Sequence, residues 1–122
     1  MSRTTDDPSV IEDLLPLSPP VYYILLALGG DTLHGYAIMQ AFDGLMGGTE
    51  RLLPGTLYAT LARMMETGLI EEAPPPEFEG DPRRRYYSVT EFGRVAAAGE
   101  SERLRRLLEV AVAQNLAPGR TG

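Results

Sequence analysis

Thr56, Thr60 and Arg63 lie in one apolar-periodic segment, and the triplet Arg83-Arg84-Arg85 follows it further along the chain. Hydroxyls that donate and accept, a guanidinium fork and the small Ala59 between them are what a helix needs to meet base edges in a major groove. The arginine triplet offers forks for phosphate oxygens, with counterion release as the gain, or is simply a solvated run of charge. Tyr36 has a hydroxyl that can reach a phosphate, or is a core ring with a wet tip. Gly35 and Gly55 stand at helix starts. There a missing Cβ lets backbone N–H groups approach an anion, or marks a plain loop-to-helix junction. His34 is read as a cap or local hydrogen-bond partner. Tyr58, on the flank of the apolar stripe, is expected to pack against the first or last helix.

Other chemistries lack their residues. The 122-residue chain contains no Cys and one His, which excludes disulfides, thiolate zinc sites and a thiol nucleophile. There are no paired carboxylates placed for acid–base work, no nucleophile with its base and no Gly-rich loop ending in Lys. The expectation is a protein that is not an enzyme, with no cofactor and no metal. The apolar run Val21–Leu28 is far shorter than the roughly 20 residues that span a bilayer. Met1 to Asp7 lack the basic stretch leading into an apolar segment that marks a signal peptide. No membrane association and a cytoplasmic location are therefore expected.

The net charge is −6, but its placement is uneven. Residues 1–50 carry one Arg against seven acids, whereas residues 51–122 balance ten Arg against ten acids. Every basic residue is Arg. Between Arg83 and Arg106 seven arginines face only Glu91, Glu100 and Glu102. Recognition depends on that local potential rather than on the sum.

The elements that would position these residues follow from periodicity and punctuation. Ser9 can cap a short helix ended by Pro16, and Ser18-Pro19-Pro20 opens a second, apolar nearly all round to Leu28 and stopped by Gly29-Gly30. Asp31 or Thr32 can cap a third helix over Gly35–Met46. Pro54 to Thr67 predicts a fourth, with Leu57, Leu61, Met64 and Met65 on one side and Thr56, Ala59, Thr60 and Arg63 on the other; Gly68 closes it. Leu69–Ala73 and Arg85–Val89 read as the strands of a hairpin, and the arginine triplet opens the second of them. On that alternation Tyr86 and Tyr87 point one to the core and one to solvent. Thr90 can cap a last helix running to about Asn115, with a weak spot at Gly99-Glu100-Ser101. Its Leu104, Leu107, Leu108 and Ala111 form a stripe that a small domain cannot bury alone, so a twofold helix contact is expected.

This order is mainly α with a small β-hairpin: a winged helix-turn-helix followed by a C-terminal dimerisation helix. The boundaries read as an arm over 1–16, the DNA-binding domain over 17–90, the pairing helix over 91–116 and a disordered tail over 117–122. Four stretches carry a resemblance. His34-Gly35-Tyr36, Pro54-Gly55-Thr56-Leu57-Tyr58, Leu61-x-Arg63-Met64-x-x-x-Gly68-Leu69-Ile70 and Arg84-Arg85-Tyr86-Tyr87-x-Val89-Thr90-x-x-Gly93 resemble the PadR-type transcriptional regulators. The resemblance implies a homodimeric repressor that binds double-stranded DNA at a palindromic operator. It also implies a small aromatic or drug-like effector, as some members bind one. The acidic balance and the acidic Glu77, Glu79 and Asp81 at the hairpin tip support a second reading, a winged-helix protein-interaction module without DNA binding.

Overall fold

The computed structural model describes residues 8–76, 81 and 83–119. Glu77 and Glu79, two of the three acids assigned to the hairpin tip, lie outside the described residues. The elements are α1 (Pro8–Leu14), α2 (Pro19–Leu28), β1 (Leu33–His34), α3 (Gly35–Met46), α4 (Pro54–Glu66), β2 (Ile70–Ala73), β3 (Tyr86–Val89) and α5 (Glu91–Ala113).

α2 is the spine, because its apolar residues leave few polar positions to turn outward. Ile24 and Leu28 are fully buried, and Ile38 and Phe42 of α3 and Leu57, Leu61 and Met64 of α4 close over them. Each such side chain contributes roughly 1.5–3 kcal/mol by leaving water. The Tyr23 ring of α2 stacks on Phe42 with centroids 4.4 Å apart, and its hydroxyl donates to Glu50 at 3.0 Å. Three helices are thus pinned around one core.

Three strands are present where two were expected. The sheet order is β1-β3-β2, all antiparallel, with Leu33 and His34 opposite Tyr87 and Tyr86, and Ile70 opposite Val89. A strand of two residues has no period to detect. It also moves the cap of α3: His34 holds that position, and its Nδ1 accepts the Ala37 N–H at 3.3 Å, where Asp31 or Thr32 was expected. Ser9 lies inside α1 rather than ahead of it.

α5 is one unbroken helix. Gly99 is not a bend: a Cβ there would meet Ile11 and Leu15 at 3.3 Å, so the glycine lets α1 and the chain after it pack close. Beside it the buried Glu100 accepts the Leu17 N–H at 3.1 Å and pairs with Arg103 at 2.6 Å. The Arg103 hydrogen bond holds this carboxyl below its usual range, against a burial effect that acts the other way. The N-terminal arm is thereby tied to the middle of α5. Beyond that tie the helix leaves the core.

Candidate nucleic-acid interface

α4 begins with Pro54, whose missing N–H costs nothing in a first turn, and ends where Gly68 takes φ +78°, a conformation that disfavours a side chain. Its buried stripe is Leu57, Thr60, Leu61 and Met64. Thr56, Ala59, Ala62, Arg63 and Met65 are exposed. Thr60 therefore does not join the groove-facing side. Three residues of helix place it only about 60° from Leu57, inside the apolar arc and not across from it. Its exposure is 0%, and its Oγ1 is buried without a hydrogen-bond partner. Met65, expected on the apolar side with Met64, sits at the edge of the arc and is 38% exposed.

The orphan hydroxyl makes a test. Thr60→Val keeps the shape and removes a buried polar atom that gains nothing in the fold. We expect thermal unfolding to show a stabilisation of about 1 kcal/mol, with DNA affinity unchanged within twofold. A loss of affinity beyond tenfold would return Thr60 to the interface.

Across from α4 stands the start of β3. Arg83 and Arg84 precede the strand in a turn, so strand alternation does not orient them. Asp81 organises that turn. Its carboxylate accepts the Arg83 N–H at 2.9 Å and the Arg83 guanidinium at 3.3 Å, which hold it below the usual carboxylate range, the backbone bond foremost. Arg83 is 90% exposed despite this pairing. Tyr86 and Tyr87 are both buried. Tyr87 joins the core, whereas Tyr86 is covered on the other face by the His34 ring, edge-on at 5.5 Å, and accepts the Asp81 N–H at 3.0 Å.

Arg84 lies with Nη1 2.6 Å from His34 Nε2. Burial first, and the Arg84 charge second, hold the imidazole below its ordinary pKa and favour its neutral form. A neutral imidazole has one acceptor nitrogen, so the Ala37 N–H at Nδ1 and the Arg84 guanidinium at Nε2 compete for it. Arg84 is thus shared between the His34 ring and the Asp81 carboxylate, 3.9 Å from its Nε, and its side chain stays 51% exposed to an incoming anion. Arg85 is exposed, with no ion pair among the described residues.

Between α4 and this turn runs an open cleft of about 640 Å³, bounded by Tyr58, Ala62 and Met65 on one side and by Arg84, Arg85 and Tyr36 on the other. Tyr36 is 57% exposed and also borders a second hollow of about 470 Å³ with Gln40, Arg51 and Pro54. Gly55 is exposed, with open space where a Cβ would stand. Gly35 is different. A Cβ there would meet the Tyr58 ring and hydroxyl at 2.8 Å, so Gly35 makes room for Tyr58, which packs on the start of α3 rather than on the first or last helix. The structure thus brings Tyr36, Arg84 and Arg85 to one cleft and sets Gly55, Thr56 and Arg63 on the exposed part of α4. Tyr58, Ala62 and Met65 were missed as site residues; their positions within about 60° of one another on α4 were the available signal.

The stripe Leu104, Leu107 and Leu108 is exposed in the single chain, at 40%, 54% and 57%, and Ala111 is half-buried. Arg105 pairs with Glu102 and Glu109 alongside it. Among the described residues there is no His/Asp/Glu cluster able to hold a metal and no helix long and apolar enough to cross a membrane.

Residues 24–99 match the family model described as the transcriptional regulator PadR-like family. An uncharacterized 37.1 kDa protein in a Streptomyces fradiae transposon is 38% identical over 84 residues, which are 69% of this chain and 22% of that protein. The chain thus spans about a fifth of that relative. Among solved structures, a PadR family transcription regulator from Clostridium difficile superposes with TM-score 0.67 at 26% identity, covering 82% of this chain and all of that one. Bacillus subtilis PadR in complex with operator DNA gives TM-score 0.56 at 21% identity, over 73% of this chain and 48% of that one. That last likeness is one of fold.

Proposed function

The chain belongs to the PadR-like family of transcriptional regulators, which are not enzymes, and from that premise we propose that it is a dimeric, sequence-specific DNA-binding repressor of a palindromic operator. The observation that supports this most is the exposed α4 surface bearing Thr56 and Arg63, set beside a cleft edged by guanidiniums. Thr56 and Arg63 meet base edges. The first-turn N–H groups at Gly55, the Tyr36 hydroxyl and Arg83, Arg84 and Arg85 hold phosphates. Residues 17–90 form the reading domain and 91–116 the pairing helix, with Leu104, Leu107, Leu108 and Ala111 at the seam. A twofold pair on that seam would set two copies of α4 about 34 Å apart, one turn of duplex. The likeness in fold to the operator-bound Bacillus subtilis protein supports this reading.

The test is a mobility-shift titration with two variants. Arg63→Ala is expected to cost roughly 1–3 kcal/mol on the best duplex and to relax preference at one base step. Arg84→Ala should weaken all duplexes alike and reduce the slope of log affinity against log salt by about 0.9, one phosphate's share. If both variants bind like the parent, these residue roles are wrong. If the parent shifts no duplex at low salt, the protein-interaction module suggested by the −6 charge takes precedence.

A further inference from the structure

The cleft beside α4 has two walls of opposite chemistry, and the unlike walls carry an inference that rests on the DNA-binding reading above. One wall is guanidinium, from Arg84 and Arg85; the other is Tyr58, Ala62 and Met65 with Leu61 beneath them. The apolar wall offers no hydrogen bond to an incoming edge except the Tyr58 hydroxyl, which sits over Gly35. A guanine, cytosine or adenine edge pressed there would lose water from O6, N4 or N6 without replacement, at the cost of an unpaired polar group. One base carries an apolar group in the major groove: thymine, with its C5 methyl. The opposing arginines suit the phosphates beside that base.

We propose that Ala62 and Met65, backed by the Tyr58 ring, select thymine by enclosing its 5-methyl group. This apolar face lies about 100° or more round α4 from Thr56 and Arg63, so it reads a base step at the edge of the groove, apart from theirs. Along α4 these two residues are separated by about 4.5 Å, close to the roughly 3.4 Å between base pairs. One or two adjacent thymines in each half-site are therefore specified.

The experiment enriches duplexes from a randomised library with the full chain and then replaces each thymine of the winner by deoxyuridine, one at a time. Loss of the methyl is expected to weaken binding about fourfold at one or two adjacent positions per half-site, the ratio that burial of one such group gives. Elsewhere the change stays within twofold. Met65→Ala should bring the thymine-to-uracil ratio at one of those positions close to one, while Met65→Leu preserves it; Met65 is partly exposed, so both variants keep the fold. A tightly bound duplex that tolerates uracil everywhere overturns the inference and leaves the DNA-binding reading intact. Failure to enrich any duplex overturns that reading and this inference with it.

Discussion

Replacing Leu107 and Leu108 together by Glu is expected to give a folded monomer that binds its best duplex roughly 100-fold more weakly, the loss that follows when linked half-sites are engaged one at a time. Both leucines stand more than half exposed on the outer part of α5, beyond the point where Glu100 and Gly99 tie that helix to the arm and core. Neither contributes to the core around α2, so carboxylates there should not unfold the domain. In a twofold seam each leucine would bury roughly 1.5–3 kcal/mol of side chain, and four carboxylates brought together would repel. Sedimentation measures the association state, circular dichroism the fold and a mobility shift the affinity. A double variant that remains dimeric would place the seam elsewhere. A parent that sediments as a monomer would remove the twofold reading altogether.

The second large effect concerns the fold. Gly93→Ala would be stabilising by helix propensity alone, by roughly 0.5–1 kcal/mol. We expect the opposite, a loss of about 3 kcal/mol, equal to a fall in Tm of roughly 10 °C for a chain of this size. A Cβ at Gly93 would collide with the Leu69 carbonyl oxygen and stand 2.8 Å from Val89 Cγ1. The backbone there cannot yield cheaply. Thr90 accepts the Gly93 N–H, donates its hydroxyl to the Gly68 carbonyl and gives its own N–H to Leu69. The first turn of α5 is therefore sewn to the chain between α4 and β2. Thermal denaturation decides: a variant as stable as the parent would mean that α5 and that turn are not in this contact.

How far the sequence foretold these features depends on the length scale of each signal. Helices α2 to α5 were legible because their apolar periods run for ten residues or more, and the first three of them end near Gly29, Gly47 and Gly68. The β2–β3 hairpin was legible from its bracketing prolines and glycine. β1 was not, since its hydrogen bonds go to a strand some fifty residues later. Thr60 was misplaced because residue type suggested a groove-facing hydroxyl where the angular position is that of a core residue. Tyr86 and Tyr87 alternate across the strand, yet neither meets solvent, because a side chain from β1, His34, covers the outer face. The role of Gly35 depended on where Tyr58 turned, a tertiary matter. The pairing of Arg83 with Asp81 was within reach of sequence, as the two lie two residues apart in a turn.

The unbroken course of α5 has a mechanical consequence. At 23 residues it is a rod about 35 Å long with its first half bolted to the reading domain. In a pair joined at the far halves, tilting one rod by about 10° would swing the opposite end by roughly 6 Å, more than a base-pair step. Small repacking at the joint would therefore shift the two heads out of phase with the double helix.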